Sequence, residues 1–171
     1  MKTIVIGLGN PILGDDGVGW VVAQAVEEHY HQFENSTTSI GKNACVVDFL
    51  CLSLGGLSLM EYLSDYQHAI LIDAIQSPQH PPGTCLQFPI TALPDPSAGH
   101  LSSAHDTSLV NALQLGRKLG AELPETIEIV AIVAENVSDF TEQITPAVAA
   151  AVPGAVQTVL KMLQLQSTQE A

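Results

Sequence analysis

The chain has 171 residues, 46% of them hydrophobic and only 13% charged, which suits one globular domain with a sizeable core and carries no signature of disorder. Five Lys and Arg stand against 18 Asp and Glu, a net charge of −13, so a phosphate backbone is repelled and nucleic-acid binding is disfavoured as a function class. The apolar runs are short and interrupted, so no membrane span is expected. Cys45, Cys51 and Cys85 are odd in number and lack a CxxC spacing, which fits reduced thiols rather than a disulfide framework or a zinc site.

Residues 2–7, "KTIVIG", are β-branched, continuous and stopped by glycine, which predicts a buried parallel strand. The run is too short for a signal-peptide core, so a cytoplasmic location is expected. From Gly17 the period changes: Val18, Val21, Val22, Ala25 and Val26 predict an amphipathic helix over 17–32. A polar loop, 33–43, leads to a second strand at 44–49, "ACVVDF". Leu57, Met60, Glu61 and Leu63 suggest a short helix, and "HAILIDAI", 68–75, is the clearest strand of the chain. "PPGTCLQF", 81–88, reads as a turn and a further strand. Residues 89–104 hold three prolines and no period, a loop long enough to suggest function. A helix over 105–119, a strand over 126–134 and a helix over 146–164, disturbed near Pro153, complete the pattern. One α/β domain, 1–164, is expected, with a tail at 165–171. Strands alternating with helices predict a three-layer sandwich, a mostly parallel twisted sheet with helices on both faces. Ligands in such folds sit beyond the carboxyl ends of the strands.

The turn after the first strand, "IGLGNPILGDDGVGW", crowds glycines as a phosphate site does, but the chemistry is reversed. A dinucleotide fingerprint needs glycine at 12, where Ile12 stands. A P-loop needs Lys and Ser or Thr after Gly14, where Asp15 and Asp16 stand. One Asp suffices to cap a helix; the second is available for something positive. Asp73 ends an apolar strand, where a charge is costly without a partner, and the parallel topology would put it on the same edge as Asp16. His105 opens a helix after the long loop, with His100 as its understudy. His29, His31, His68 and His80 look weaker. Two carboxylates and an imidazole make a divalent-metal site with open positions, of a kind that suits zinc or nickel; the bland alternatives are a cap for Asp16, a turn residue for Asp73 and a helix-start histidine. Cys85, inside an apolar strand without a neighbouring histidine, is no candidate nucleophile.

These residues also carry a resemblance. "GLGNPILGDDGVG", "ILIDAI", "HDTSL" and "VAENVSDFTEQITPAV", in that order, resemble the hydrogenase maturation endopeptidases over residues 2 to about 160. The resemblance implies an endopeptidase that clips the C-terminal extension from the large-subunit precursor of [NiFe]-hydrogenase after nickel insertion. It implies that Asp16, Asp73 and His105 are the catalytic, metal-contacting residues. The nickel is brought by the substrate, and another divalent cation can stand in for it in crystals. It further implies a protein partner, no membrane or nucleic-acid partner, and a monomer. Asn10, Gly7 and Gly9 match the turn that presents Asp16, and Glu135, Thr145 and Pro146 match a segment of structural role. Where relatives carry Asp-Gly-Gly, this chain has Leu54 before Gly55 and Gly56, so no site residue is assigned within 50–60. The rival readings are a non-catalytic nickel-binding assembly chaperone with the same three ligands and a peptidyl-tRNA hydrolase, whose opening "IVIGLGNP" is similar.

Overall fold

The computed structural model describes residues 2–36, 46–93 and 104–169, and of 33–36, 104–108 and 164–169 the backbone only. In chain order the elements are β1 (Lys2–Leu8), a 3-10 turn (Gly14–Gly17), α1 (Val18–Ser36), β2 (Val46–Leu52) and α2 (Gly56–Tyr62). Then come β3 (His68–Ile75), β4 (Cys85–Pro89), a second 3-10 turn (Ile90–Ala92), α3 (Ala104–Lys118), β5 (Thr126–Val133) and α4 (Pro146–Gln169). Cys45, His100 and most of the proline-rich 89–104 stretch lie outside the described residues.

The strands form one sheet in the order β2-β1-β3-β5-β4. The first four are mutually parallel, as the alternation with helices predicts, whereas β4 runs antiparallel to β5. The exception has a simple cause. The β3–β4 connection is a short turn through Pro81, Pro82 and Gly83, and a parallel return needs a crossover of a dozen or more residues.

The strand sequences are apolar throughout, but the pleat still sorts them by alternate residues. Val5, Ile70, Ile72, Ala74, Val130 and Ile132 face one way, into a core shared with α1 and α4. Ile4, Ile6, Leu8, Ala69, Leu71, Ile129 and Ala131 face the other way, against Leu59 of α2 and Leu109 and Leu113 of α3. Helices therefore cover both faces, the three layers expected.

Contrary to the expectation of no such segment, residues 146–163 do reach the length and mean hydropathy of a membrane span. Here one face of the stretch packs into the core. Val148, Ala155, Val156, Val159, Met162 and Leu163 are buried, most of them against α1 and the sheet. α4 passes unbroken through Pro153, which lies on its exposed side with Gly154, and continues beyond the expected end at 164.

Candidate active site at the carboxyl edge of the sheet

Register fixes what meets at the carboxyl edge. Gly7 pairs with Cys51 on one side and Ile72 on the other, so Leu8 and Gly9 leave the sheet between Leu52 and Asp73. Gly9 has φ +119, a conformation open to glycine, and a Cβ there would overlap the carbonyl oxygen of Asp16. Its N–H donates to the Leu52 carbonyl at 3.2 Å, and its own carbonyl accepts the Ser53 hydroxyl at 2.7 Å. The turn is thereby tied to the end of β2. A cavity of about 210 Å³ opens above it, lined by Leu8, Gly9, Asn10, Leu13, Asp16, Ser53, Leu54, Asp73 and Ala74.

Asp16 and Asp73 thus reach one cavity from distant parts of the chain, as the strand-end rule predicts. Asp16 accepts the Asn10 backbone N–H on Oδ2 at 2.7 Å. The Asp73 residue is only 8% exposed, and its Oδ1 accepts the N–H of Ala74 at 2.8 Å. Alternation puts the Asp73 side chain on the sheet face that α2 and α3 cover, the face of Leu71 and Ala69. His105 is the second residue of α3. That helix feeds β5, which starts at the opposite edge, so its first turn lies toward the carboxyl edge where Asp16 and Asp73 stand. The His105 side chain lies outside the described residues. Among the described residues no three His, Cys, Asp or Glu side chains cluster closely enough to hold a metal ion. The two acids meet, and the histidine's part is left to the topology.

The cap reading holds for neither Asp15 nor Asp16. Among the described residues, the hydrogen-bond partners of neither carboxylate lie in α1: Asp16 accepts from Asn10, and Asp15 from Glu135, Asn136 and Thr145. Asp15 is fully buried instead. It accepts the N–H groups of Glu135 at 2.9 Å, Asn136 at 3.0 Å and Thr145 at 2.6 Å, and the Thr145 hydroxyl at 3.0 Å. Burial pushes its pKa up, but the donors of Thr145, Asn136 and Glu135 outweigh that and hold the carboxyl below its ordinary 3.8. Backbone bonds reinforce the clamp: Asp15 N–H to Asn136 O at 2.9 Å, Gly14 N–H to Thr141 O at 2.7 Å, and Thr141 N–H to Ile12 O at 3.0 Å. The segment after β5 is fastened to the turn that presents Asp16. Asp15 is the residue that fastens it, through the backbone of Glu135 and the backbone and hydroxyl of Thr145.

None of the other histidines or the cysteines among the described residues lines this cavity. His68 is buried at the start of β3, its Nε2 3.8 Å from Glu128 Oε2. His29 donates to or accepts from nothing at the cavity; its ring nitrogen pairs with the Ala25 carbonyl on α1 at 2.7 Å. Cys51 and Cys85 are free thiols whose pKa burial raises, which suits no nucleophilic role. Sequence reasoning missed Ser53 and Leu54, which line the cavity from the segment where no site residue was assigned. The available signal was positional: both directly follow a parallel strand.

Comparison with known proteins agrees with the geometry. The family model described as hydrogenase maturation protease matches residues 20–162. The hydrogenase 2 maturation protease of Escherichia coli (strain K12) is 28% identical over 167 residues, covering 96% of this chain and 92% of that protein. The hydrogenase expression/formation protein HupD of Rhizobium leguminosarum bv. viciae is 23% identical over 163 residues, covering 95% and 74%. The solved structure of the hydrogenase maturating endopeptidase HybD from E. coli superposes with a TM-score of 0.73 at 25% identity, covering 97% of this chain and 94% of that one. The [NiFe] hydrogenase maturation protease HybD from Thermococcus kodakarensis, at 22% identity, has the same fold with a TM-score of 0.66 over 95% and 99% of the two chains. A match of this extent, on a sheet whose carboxyl edge gathers two acids into one cavity, settles the assignment: the chain belongs to the hydrogenase maturation protease family, whose members are peptide hydrolases.

Proposed function

We propose that this protein is the endopeptidase that removes the C-terminal extension of a [NiFe]-hydrogenase large-subunit precursor once nickel has been inserted. The observation that carries the reading is that Asp16 and Asp73 line one cavity beyond the strand ends. Nickel here is part of the substrate. It arrives held by the precursor near the bond to be cut, and Asp16, Asp73 and His105 fill positions left open on it. Carboxylate oxygen and imidazole bind nickel less durably than thiolates do, so the enzyme reads the metal without extracting it. Cleavage then depends on insertion. The carboxylates can also take a proton from the attacking water. The protein acts in the cytoplasm as a monomer, with the precursor as its macromolecular partner.

The test uses purified protein with nickel-loaded and nickel-free precursor, read by intact mass. Loss of a C-terminal fragment from the loaded precursor alone is expected. Stable binding without loss of mass would replace the protease by an assembly chaperone, and equal cutting of nickel-free precursor would remove the checkpoint.

A further inference from the structure

Asn10 lines the cavity, immediately after the φ-positive Gly9, with its backbone N–H on Asp16 Oδ2. Its side chain is oriented by a second bond: the N–H of Ile12 donates to Asn10 Oδ1 at 3.2 Å, an Asx turn. This bond assigns the amide, because only the oxygen can accept from an N–H. The amino group is therefore turned away from Ile12, and among the described residues no acceptor takes it.

The rest of the cavity wall makes this amino group distinctive. Of the nine lining residues only Asn10 and Ser53 have side-chain donors. The Ser53 hydroxyl is spent on the Gly9 carbonyl at 2.7 Å. What remains is two carboxylates, apolar side chains and one uncommitted NH2. Peptide hydrolysis needs a donor of this kind, since negative charge develops on the carbonyl oxygen as the nucleophile adds.

We propose that Asn10 is a catalytic residue whose Nδ2 hydrogen-bonds the carbonyl oxygen of the scissile peptide and the oxyanion formed from it. The inference rests on the endopeptidase reading above. In the addition step the water oxygen bonds to the carbonyl carbon, one water proton passes to a cavity carboxylate, and the carbonyl π pair moves onto the oxygen that Asn10 holds. On collapse that pair re-forms the C=O bond, the C–N bond breaks, and the carboxylate returns its proton to the leaving nitrogen. Asn10 donates a hydrogen bond throughout and exchanges no proton.

Two substitutions separate this role from that of the turn. Asn10→Ser keeps an oxygen to accept the Ile12 N–H and removes the amino group. Asn10→Asp keeps the shape and the acceptor but replaces the donor by a charged oxygen. On nickel-loaded precursor, kcat should fall about 10²–10³-fold in both, the cost of losing one oxyanion donor. In Asn10→Ser the KM should stay within about twofold of wild type and the melting temperature should be unchanged, since substrate binding and the turn are preserved. Asn10→Ser with a kcat within about threefold of wild type, or with KM rising while kcat holds, would overturn the proposal and leave the endopeptidase reading standing. A wild-type protein that binds loaded precursor but never cuts it would overturn both.

Discussion

Asp15 and Asp16 are adjacent and chemically identical, yet one is a buried strut and the other faces the cavity. The difference is written in Glu135, Asn136 and Thr145, more than a hundred residues away, so no local reading of "GDDG" could divide the two roles. The local pattern shows an excess carboxylate at a helix start, the resemblance points to Asp16, and the tertiary partners of Asp15 show what its neighbour does instead. Removing the strut has a definite cost. Asp15→Ala removes the shared acceptor of three part-buried backbone N–H groups and a hydroxyl, and hydrogen bonds to a charged group are each worth about 1.5–3 kcal/mol, so a loss of about 3 kcal/mol is expected in urea unfolding. Thr145→Val removes only the hydroxyl and should cost about 1 kcal/mol. The pH dependence follows from the lowered carboxyl pKa. The unfolded chain takes up the proton first, so the stabilisation is complete above the ordinary 3.8 and is lost as pH falls through the lower folded value. Asp15→Ala should therefore flatten the acid limb of the stability profile, and an unchanged limb would mean that the clamp carries little energy.

Elements were legible where a continuous apolar run had sharp ends. β3 occupies the expected 68–75, because polar or turn-forming residues bound it on both sides. β2 runs on to Leu52, past the end that "ACVVDF" suggests. Composition cannot end a run that continues through "LCL"; pairing of Leu8 with Leu52 does. α1 was expected to close by 32 and runs to Ser36, its start displaced by the 3-10 turn that positions Asp15 and Asp16. Gly19, within the helix expected from Gly17, serves packing. It lies on α1 against the carbonyl oxygens of Leu8 and Ile72, and a Cβ there would overlap both. Helix and sheet edge meet backbone to backbone, which brings the cavity turn down onto β1 and β3. Gly19→Ala should destabilise by about 1–3 kcal/mol through overpacking. It should also weaken cleavage, because the edge that carries Leu8 and Asp73 must shift. Gly154→Ala is the control within the same fold. A Cβ there meets nothing within 4 Å, and an exposed helical glycine replaced by alanine should gain about 0.5–1 kcal/mol. Thermal melts of the two variants should move in opposite directions; a shared direction would refute the packing account.

At the scale of the molecule, a net charge of −13 surrounds a cavity holding two acids, so any cation is drawn to the protein and a specific site must be separated from the general field. The two effects differ in what they depend on. General attraction is screened by salt and indifferent to a single Asp, whereas a site requires Asp16 and Asp73 and follows binding linkage. If the proposed contacts are right, nickel(II) at about 100 times its dissociation constant should stabilise the free protein by about 2.7 kcal/mol, over and above an ionic-strength match with a potassium salt. The affinity should be modest, because the free enzyme offers only oxygen and imidazole donors and the precursor supplies the rest. Asp16→Asn and Asp73→Asn each relieve some repulsion, so their starting stabilities can rise; the informative quantity is the nickel-dependent increment, which should vanish in both. His105→Ala should reduce it and His100→Ala should not, which decides between the two histidines by measurement. An increment of equal size in wild type and in both Asp variants would assign the effect to the acidic surface as a whole and remove the cavity as the place where nickel is read.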